Sequence, residues 1–150
     1  MVENLKDQLN LLDFGIIGEQ LSISELLHIS YLRGREDYRK EIETDFKKNL
    51  QSAAHSSSLL KSKLLEIEVK VIDMYLKFIN FSTFKCLVVL DKNDFYDKDK
   101  RWTSYKLAEN INNTNSRIDL TFSFMSNSED LTIDNITSDG FIFRYGSKKV

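Results

Sequence analysis

The sequence predicts an α+β fold, in which N-terminal helices precede a mixed β-sheet with one crossover helix and a C-terminal antiparallel meander. Three patterns carry this prediction. Apolar residues recur at every fourth position in residues 35–54, an apolar run spans residues 85–90, and apolar and polar residues alternate in residues 117–125. These patterns are typical of an amphipathic helix, a strand buried on both faces and a strand with one solvent-exposed face.

Composition and charge indicate one globular domain over residues 1–150, with a mainly helical layer in residues 1–58 and the sheet in residues 64–150. The formal net charge of −2 gives no basic excess to neutralise phosphates, which disfavours nucleic acid as a partner. The first residues lack the order of a signal peptide, and no apolar run approaches the roughly 18 residues that span a bilayer. A cytoplasmic location without a membrane partner is therefore expected.

The N-terminal layer is predicted to hold three helices. Residues 5–12 form an amphipathic stretch that ends at Gly15, and a second helix follows a serine cap and breaks at Gly34. The third helix covers residues 35–54, and the serine-rich residues 55–58 are predicted to be a connection.

The third helix carries one apolar stripe between charges of both signs. The stripe consists of Tyr38, Ile42, Phe46 and Leu50. A stripe one residue wide suits a helix that pairs with another helix, so we predict a homodimer or a protein partner bound to this face. Intramolecular packing is an equal alternative, because surface helices ordinarily bury one face on their own domain.

The sheet is predicted to begin where charged and apolar residues alternate, at residues 66–71, although residues 60–75 fit a helical stripe equally well. Whether residues 66–79 form a strand or a helix is left open by the pattern. The apolar residues 85–90 predict a central strand, in which the single cysteine, Cys86, is a buried structural thiol.

A helix is predicted over residues 99–111, between the strands at residues 85–90 and 117–125. If those strands are parallel neighbours, the helix makes a right-handed crossover. In the second strand Phe122 and Phe124 are expected in the core.

The dipeptide Asp139-Gly140 supplies the positive φ angles of a tight hairpin. We expect it to join a strand in residues 131–136 to a strand in residues 141–145, which makes the C-terminal meander.

Residues 91–99 place four carboxylates just past an apolar strand and are the candidate cation site. The candidate ligands are Asp91, Asp94, Asp97 and, from a later strand, Asp119. The calcium-loop pattern fails, because Phe95 stands where an oxygen ligand is needed and Tyr96 replaces the obligatory glycine. An acidic turn at a helix N-terminus is the favoured interpretation, so no metal and no cofactor are expected.

Other catalytic chemistry lacks a complete motif. Neither His28 nor His55 has a cysteine or second histidine at ligand spacing, and the chain has no nucleophile elbow or phosphate-binding glycine loop. Tyr96, Trp102 and Tyr105 could form a platform on which bases stack, but their helical spacing beside Ala108 and Ile111 favours core packing.

The C-terminal part contains an apolar strand, an acidic turn, an amphipathic helix, an Ile-Asp-Leu strand and a late Gly-aromatic strand. The residues that carry this order are Cys86-Leu87-Val88-Val89-Leu90-Asp91, Leu107-Ala108-Glu109, Ile118-Asp119-Leu120 and Ile136-Thr137-Ser138-Asp139-Gly140-Phe141-Ile142. Residues 84–145 thereby resemble the second half of minimal nucleotidyltransferase-fold domains.

The resemblance implies a site where a Gly-Ser motif and an Asp-x-Asp pair bind nucleotide phosphates and two metal ions. In this chain Thr83 and Lys85 stand at the positions of that pair, and residues 70–84 contain no Gly-Ser. Asp119 alone matches a third carboxylate of the family. A lysine would repel the metals, so the resemblance implies a catalytically dead copy.

The sequence thus favours a non-enzymatic protein-interaction or regulatory protein. The alternative is a degenerate or divergent nucleotidyltransferase-fold protein that binds nucleotide or metal through residues 91–99. A nucleic-acid binder that uses basic residues of the helical layer is a third, less favoured hypothesis.

Overall fold

The structure is a computed structural model that describes residues 14–16, 36–80, 82–114 and 117–145. Its elements, in chain order, are β1 (Phe14–Ile16), α1 (Glu36–Glu66), β2 (Val71–Asn80), β3 (Thr83–Leu90), α2 (Lys92–Tyr96), α3 (Lys98–Thr114), β4 (Asp119–Ser126), α4 (Ile133–Ser138) and β5 (Phe143–Tyr145). They confirm the predicted α+β fold, with a helix before a mixed sheet and a helical crossover within it. Within these ranges, no helix has the length and apolar character needed to cross a membrane.

The five strands form one sheet in the order β1-β5-β2-β3-β4. Strands β2 and β3 are an antiparallel hairpin, and β5 is antiparallel to both β2 and β1. Strand β4 lies parallel to β3, from Thr83 opposite Asp119 to Leu90 opposite Ser126. The expected parallel pair is therefore confirmed, and α2 and α3 connect its two strands.

The central strand β3 is buried from Cys86 to Leu90, as its apolar run predicted. On one face of the sheet, α1 and α3 cover the main core. Buried residues of this core include Phe46, Leu50, Leu60, Leu64, Met74, Leu76, Phe84, Cys86, Val88 and Leu90. On the other face, Ile136 of α4 and Phe141 pack against Tyr75, Leu87 and Val89.

Helix α1 is longer than predicted, and the expected connection at residues 55–58 is wrong. The helix continues to Glu66, and Ser57 is accommodated within it because its Oγ donates to the Ala53 carbonyl at 2.8 Å. The buried stripe extends through Leu60 and Leu64. The helical alternative for residues 60–75 therefore holds as far as Glu66, and β2 starts at Val71.

The predicted C-terminal meander is also wrong. Residues 133–138 form the short helix α4, capped by Thr132, whose side chain accepts a hydrogen bond from the amide of Asn135. Gly140 adopts a φ of 98° at the end of this helix, and its amide donates to the Thr137 carbonyl at 2.9 Å. The Asp-Gly pair thus ends a helix, and β5 crosses to the far side of β2.

Strand β1 lies within a stretch predicted to end a helix. Phe14 pairs with Tyr145 of β5, is fully buried, and meets the Tyr145 ring edge-on at 5.5 Å. The predicted helices at residues 5–12 and before Gly34 lie outside the described residues.

Candidate functional site

Residues 91–99, the candidate cation site, lie at the end of the sheet where the parallel strands β3 and β4 both terminate. Helix α2 starts directly after β3, and α3 follows after one residue, Asp97. Open sheets commonly bind ligands outside the carboxyl ends of their parallel strands. A ligand site at this end of the sheet would be formed by the candidate cation ligands and by the exposed side chains around them.

Asp91 and Asp97 cap the two helices. The Asp91 carboxylate accepts a hydrogen bond from the amide of Asn93 at 3.1 Å. The Asp97 carboxylate accepts from the amides of Asp99 and Lys100, each at 3.1 Å. Each carboxylate thus satisfies helix amides that have no partner within the helix, which agrees with the predicted acidic turn.

Asp94 is buried and ties the turn to the start of β2. Its carboxylate accepts a hydrogen bond from the Lys70 amide at 2.7 Å and from Lys100 Nζ at 2.9 Å. The Lys70 amide and then the Lys100 ammonium hold the pKa of this carboxyl below its ordinary value. The contacts of Asp94 therefore hold two segments of the fold together.

Asp119 is not brought near these carboxylates. It is an exposed residue at the start of β4, whereas Asp91 follows the end of β3. Asp119 lies opposite Thr83, eight residues before Asp91, which separates the two carboxylates by roughly 26 Å at about 3.3 Å per residue. Within the described ranges, no group of three or more His, Cys, Asp or Glu side chains could hold a metal ion.

The aromatic residues at this end of the sheet are exposed, so the predicted core packing of Trp102 and Tyr105 is wrong. Tyr96 and Trp102 are each 63% exposed and Tyr105 is 46% exposed. The Tyr105 ring meets Phe124 of β4 edge-on at 5.0 Å, and Lys106 Nζ lies 5.1 Å from the Trp102 ring centre. We call Tyr96, Trp102 and Tyr105 the aromatic surface.

Helix α3 exposes these rings because it packs on the sheet through a different stripe. Ser104, Ala108 and Ile111 are its buried residues, spaced at i, i+4 and i+7. Two of them are small, which suits the close approach of α3 to α1 and β4. Their helical spacing is the signal that distinguishes this buried face from the aromatic one.

A groove of about 860 Å³ lies beside the aromatic surface, between α2 and the end of β4. Phe95, Phe124 and Met125 contribute to its lining, and Met125 is 42% exposed. The contact of Tyr105 with Phe124 makes the groove and the aromatic surface continuous. The side of the molecule formed by α2, α3 and β4 is therefore its candidate functional site.

The other predicted residues lie elsewhere. His55 is exposed on α1, in a shallow depression that Lys48 and Arg117 also line, and His28 lies outside the described residues. Cys86 is fully buried, and burial raises the pKa of its thiol to about 12. This agrees with the predicted structural thiol.

The predicted partner-binding stripe on α1 is corrected at two of its four positions. Phe46 and Leu50 are fully buried in the chain's own core, and the Phe46 ring lies 5.2 Å from that of Phe78 in β2. Intramolecular packing, the alternative interpretation, therefore applies to them. The side chains of Tyr38 and Ile42 lie outside the described part of the chain.

Neither a model of a known protein family, nor a curated protein, nor a solved structure matches this chain. The predicted resemblance to nucleotidyltransferase-fold domains therefore stays a prediction. Thr83 and Lys85, at the positions of the family's metal-binding pair, lie at the start of β3, and Lys85 pairs directly with Lys77 of β2.

Proposed function

We propose that this chain is a non-enzymatic protein-interaction protein that binds its partner through the aromatic surface and the adjoining groove. One observation carries the proposal: three aromatic side chains within ten residues are exposed at the end of the sheet where β3 and β4 terminate. Trp and Tyr supply a large contact area at a low cost in side-chain entropy, and they are enriched among the residues that dominate binding energy.

The charges around the aromatic surface favour a protein over a nucleic acid. Basic and acidic side chains alternate there, namely Lys98, Arg101 and Lys106 with Asp97, Asp99 and Glu109. Phosphate backbones require a basic excess, which neither this surface nor the whole chain provides. A mixed-charge rim around an aromatic centre is the usual composition of a protein interface.

Capture of partners by variants of the chain tests this function. We expect Tyr96→Ala/Trp102→Ala to lose proteins that the unaltered chain retains from a cell extract, and to bind them at least tenfold more weakly once purified. The control is Leu59→Ala/Leu65→Ala, which truncates residues that are 40% and 70% exposed on α1. Identical sets of captured proteins for all three chains would contradict the proposal.

Calorimetric titration with Mg²⁺ and a nucleoside triphosphate tests the alternative function. The proposed function predicts no binding, because Asp91, Asp94 and Asp97 serve separate structural roles. Binding that Asp91→Ala abolishes would instead support a nucleotide or metal site at residues 91–99.

A further inference from the structure

Strand β4 is an edge strand of the described sheet, and its own sequence lacks the features that usually prevent pairing with another chain. It has eight residues, pairs with β3 alone in the described sheet, and keeps one register without a shift along its whole length. Edge strands are ordinarily blocked by shortness, lysine, proline or a bulge. The sequence of β4, Asp-Leu-Thr-Phe-Ser-Phe-Met-Ser, contains neither lysine nor proline.

The backbone groups on the open side of β4 can be assigned from its hydrogen bonds to β3. The amides of Asp119 and Asn127 donate toward β3, to the carbonyls of Ser82 and Leu90, each at 2.9 Å. Successive residues of a strand direct their backbone groups to alternate sides, so the even-numbered residues face the open side.

Asn112 of α3 accepts a hydrogen bond from the first of these open-side amides, that of Leu120, at 3.3 Å. In the described part of the chain, the open-side amides of Phe122 and Phe124 have no partner. From Phe122 onward, the backbone donors and acceptors of the open side are thus available for a further strand.

We propose that this strand is β4 of a second copy of the chain, antiparallel to the first. The pairing rests on the proposed function, because it names a partner for the same side of the molecule. It would join the two five-stranded sheets into one continuous sheet, with the two α3 helices on the same face. The aromatic surface of each copy would then flank the new strand pair.

The charges at the ends of β4 favour the antiparallel arrangement. The strand follows a basic residue, Arg117, and precedes two acidic ones, Glu129 and Asp130. Antiparallel pairing sets Arg117, whose Nε also donates to Asn49, against the acidic end of the other copy and leaves the exposed Asp119 opposite the uncharged Asn127. Parallel pairing would set the two acidic ends against each other. A register that places Phe122 opposite Phe124 of the second copy also brings Arg117 level with that copy's Glu129.

The mass of the purified chain in solution, measured by light scattering over a wide range of concentration, tests the pairing. We expect a mass near twice the 17.5 kDa of the chain. Thr121→Lys/Ser123→Lys should give the single mass, because in this register the lysines at position 123 of the two copies would lie directly opposite one another, with those at position 121 diagonal to them. The control is Ser62→Lys/Ser138→Lys, which adds the same charge at exposed positions on α1 and α4 and should stay dimeric.

A second variant, Ser126→Pro, removes an open-side amide without adding charge and should also weaken the dimer. A chain that is monomeric at every concentration would overturn the pairing. So would a dimer that persists in folded Thr121→Lys/Ser123→Lys. If a monomeric chain still captured proteins through Tyr96 and Trp102, the proposed function would stand and the pairing alone would fail.

Discussion

Asp94 connects two segments that are distant in the sequence, the start of β2 and the first turns of α3. Its carboxylate reaches the Lys70 amide, 24 positions away, and the Lys100 ammonium. The sequence predicted an acidic turn here. Local sequence does not distinguish a carboxylate that binds a cation from one that accepts a hydrogen bond from a backbone amide. The partner at Lys70 decides between them, and it is set by the tertiary fold.

Replacement of Asp94 by asparagine should make the stability of the protein less dependent on acid pH. The pKa of this carboxyl is lowered from 3.8, so the stabilisation is present above that pH and is lost as the pH falls through the folded-state pKa. We expect Asp94→Asn to reduce the free energy of unfolding by about 1–3 kcal/mol at neutral pH, and by less in acid.

Urea denaturation at several pH values measures this difference, and the exposed Asp99 supplies the control Asp99→Asn, which should change stability little. A loss for Asp94→Asn that stays constant below pH 3.8 would show that the charge of Asp94 is not the source of its effect.

Helix α1 shows how a buried face overrides local helix propensity. Serine competes for backbone hydrogen bonds and so favours turns, which is why residues 55–58 were predicted to be a connection. In the fold, Ser56 and Ser57 are buried between the apolar stripe of Phe46 and Leu50 and that of Leu60 and Leu64. Packing along the whole sheet therefore keeps 31 residues in one helix.

Ser58 gives a direct test of this continuity. Ser58→Pro should cost about 3 kcal/mol or more, because proline removes a hydrogen bond inside a helix and clashes with the preceding turn. Ser58→Ala is the matched control and should be neutral or stabilising, since Ser58 Oγ is buried without a partner in the described part of the chain. Equal melting temperatures for the two variants would indicate that the helix is interrupted here.

The two phenylalanines of β4 should differ in their contributions to stability. Both were predicted to be core residues, and Phe124 is 7% exposed whereas Phe122 is only partly buried at the margin of the core. We expect Phe124→Ala to cost about 3–5 kcal/mol and Phe122→Ala to cost less, because less apolar surface is lost. Chemical denaturation of each variant measures the order, and a larger loss for Phe122→Ala would contradict the deeper burial of Phe124.

The whole molecule shows which features local sequence patterns determine. The apolar run of β3 and the alternation of β4 predicted both strands, because each pattern reports how many faces are buried. The position of β5 was not predicted, since three residues contain no information about which strand they join. The Asp139-Gly140 pair was misassigned because a positive φ at Gly140 suits a helix end as well as a hairpin.

The candidate site was only partly predictable for a related reason. The residues of the aromatic surface were identified, but Trp102 and Tyr105 were expected in the core on one face of α3 with Ala108 and Ile111. Ala108 and Ile111 are buried as expected, but the third buried residue of α3 is the small Ser104, and Trp102 and Tyr105 are exposed. Which face is buried depends on the shape of the sheet surface, which periodicity does not describe.

The central claim is that the open edge of β4, beside the aromatic surface, pairs with β4 of a second copy of the chain. Amide hydrogen exchange in the concentrated, purified chain tests it most directly, because alternate amides of one strand report on its two sides. The account predicts that Phe122 and Phe124 amides are as well protected as those of Thr121 and Ser123, and that Thr121→Lys/Ser123→Lys removes this protection. Fast exchange at Phe122 and Phe124 beside slow exchange at Thr121 and Ser123 in the unaltered chain would contradict it.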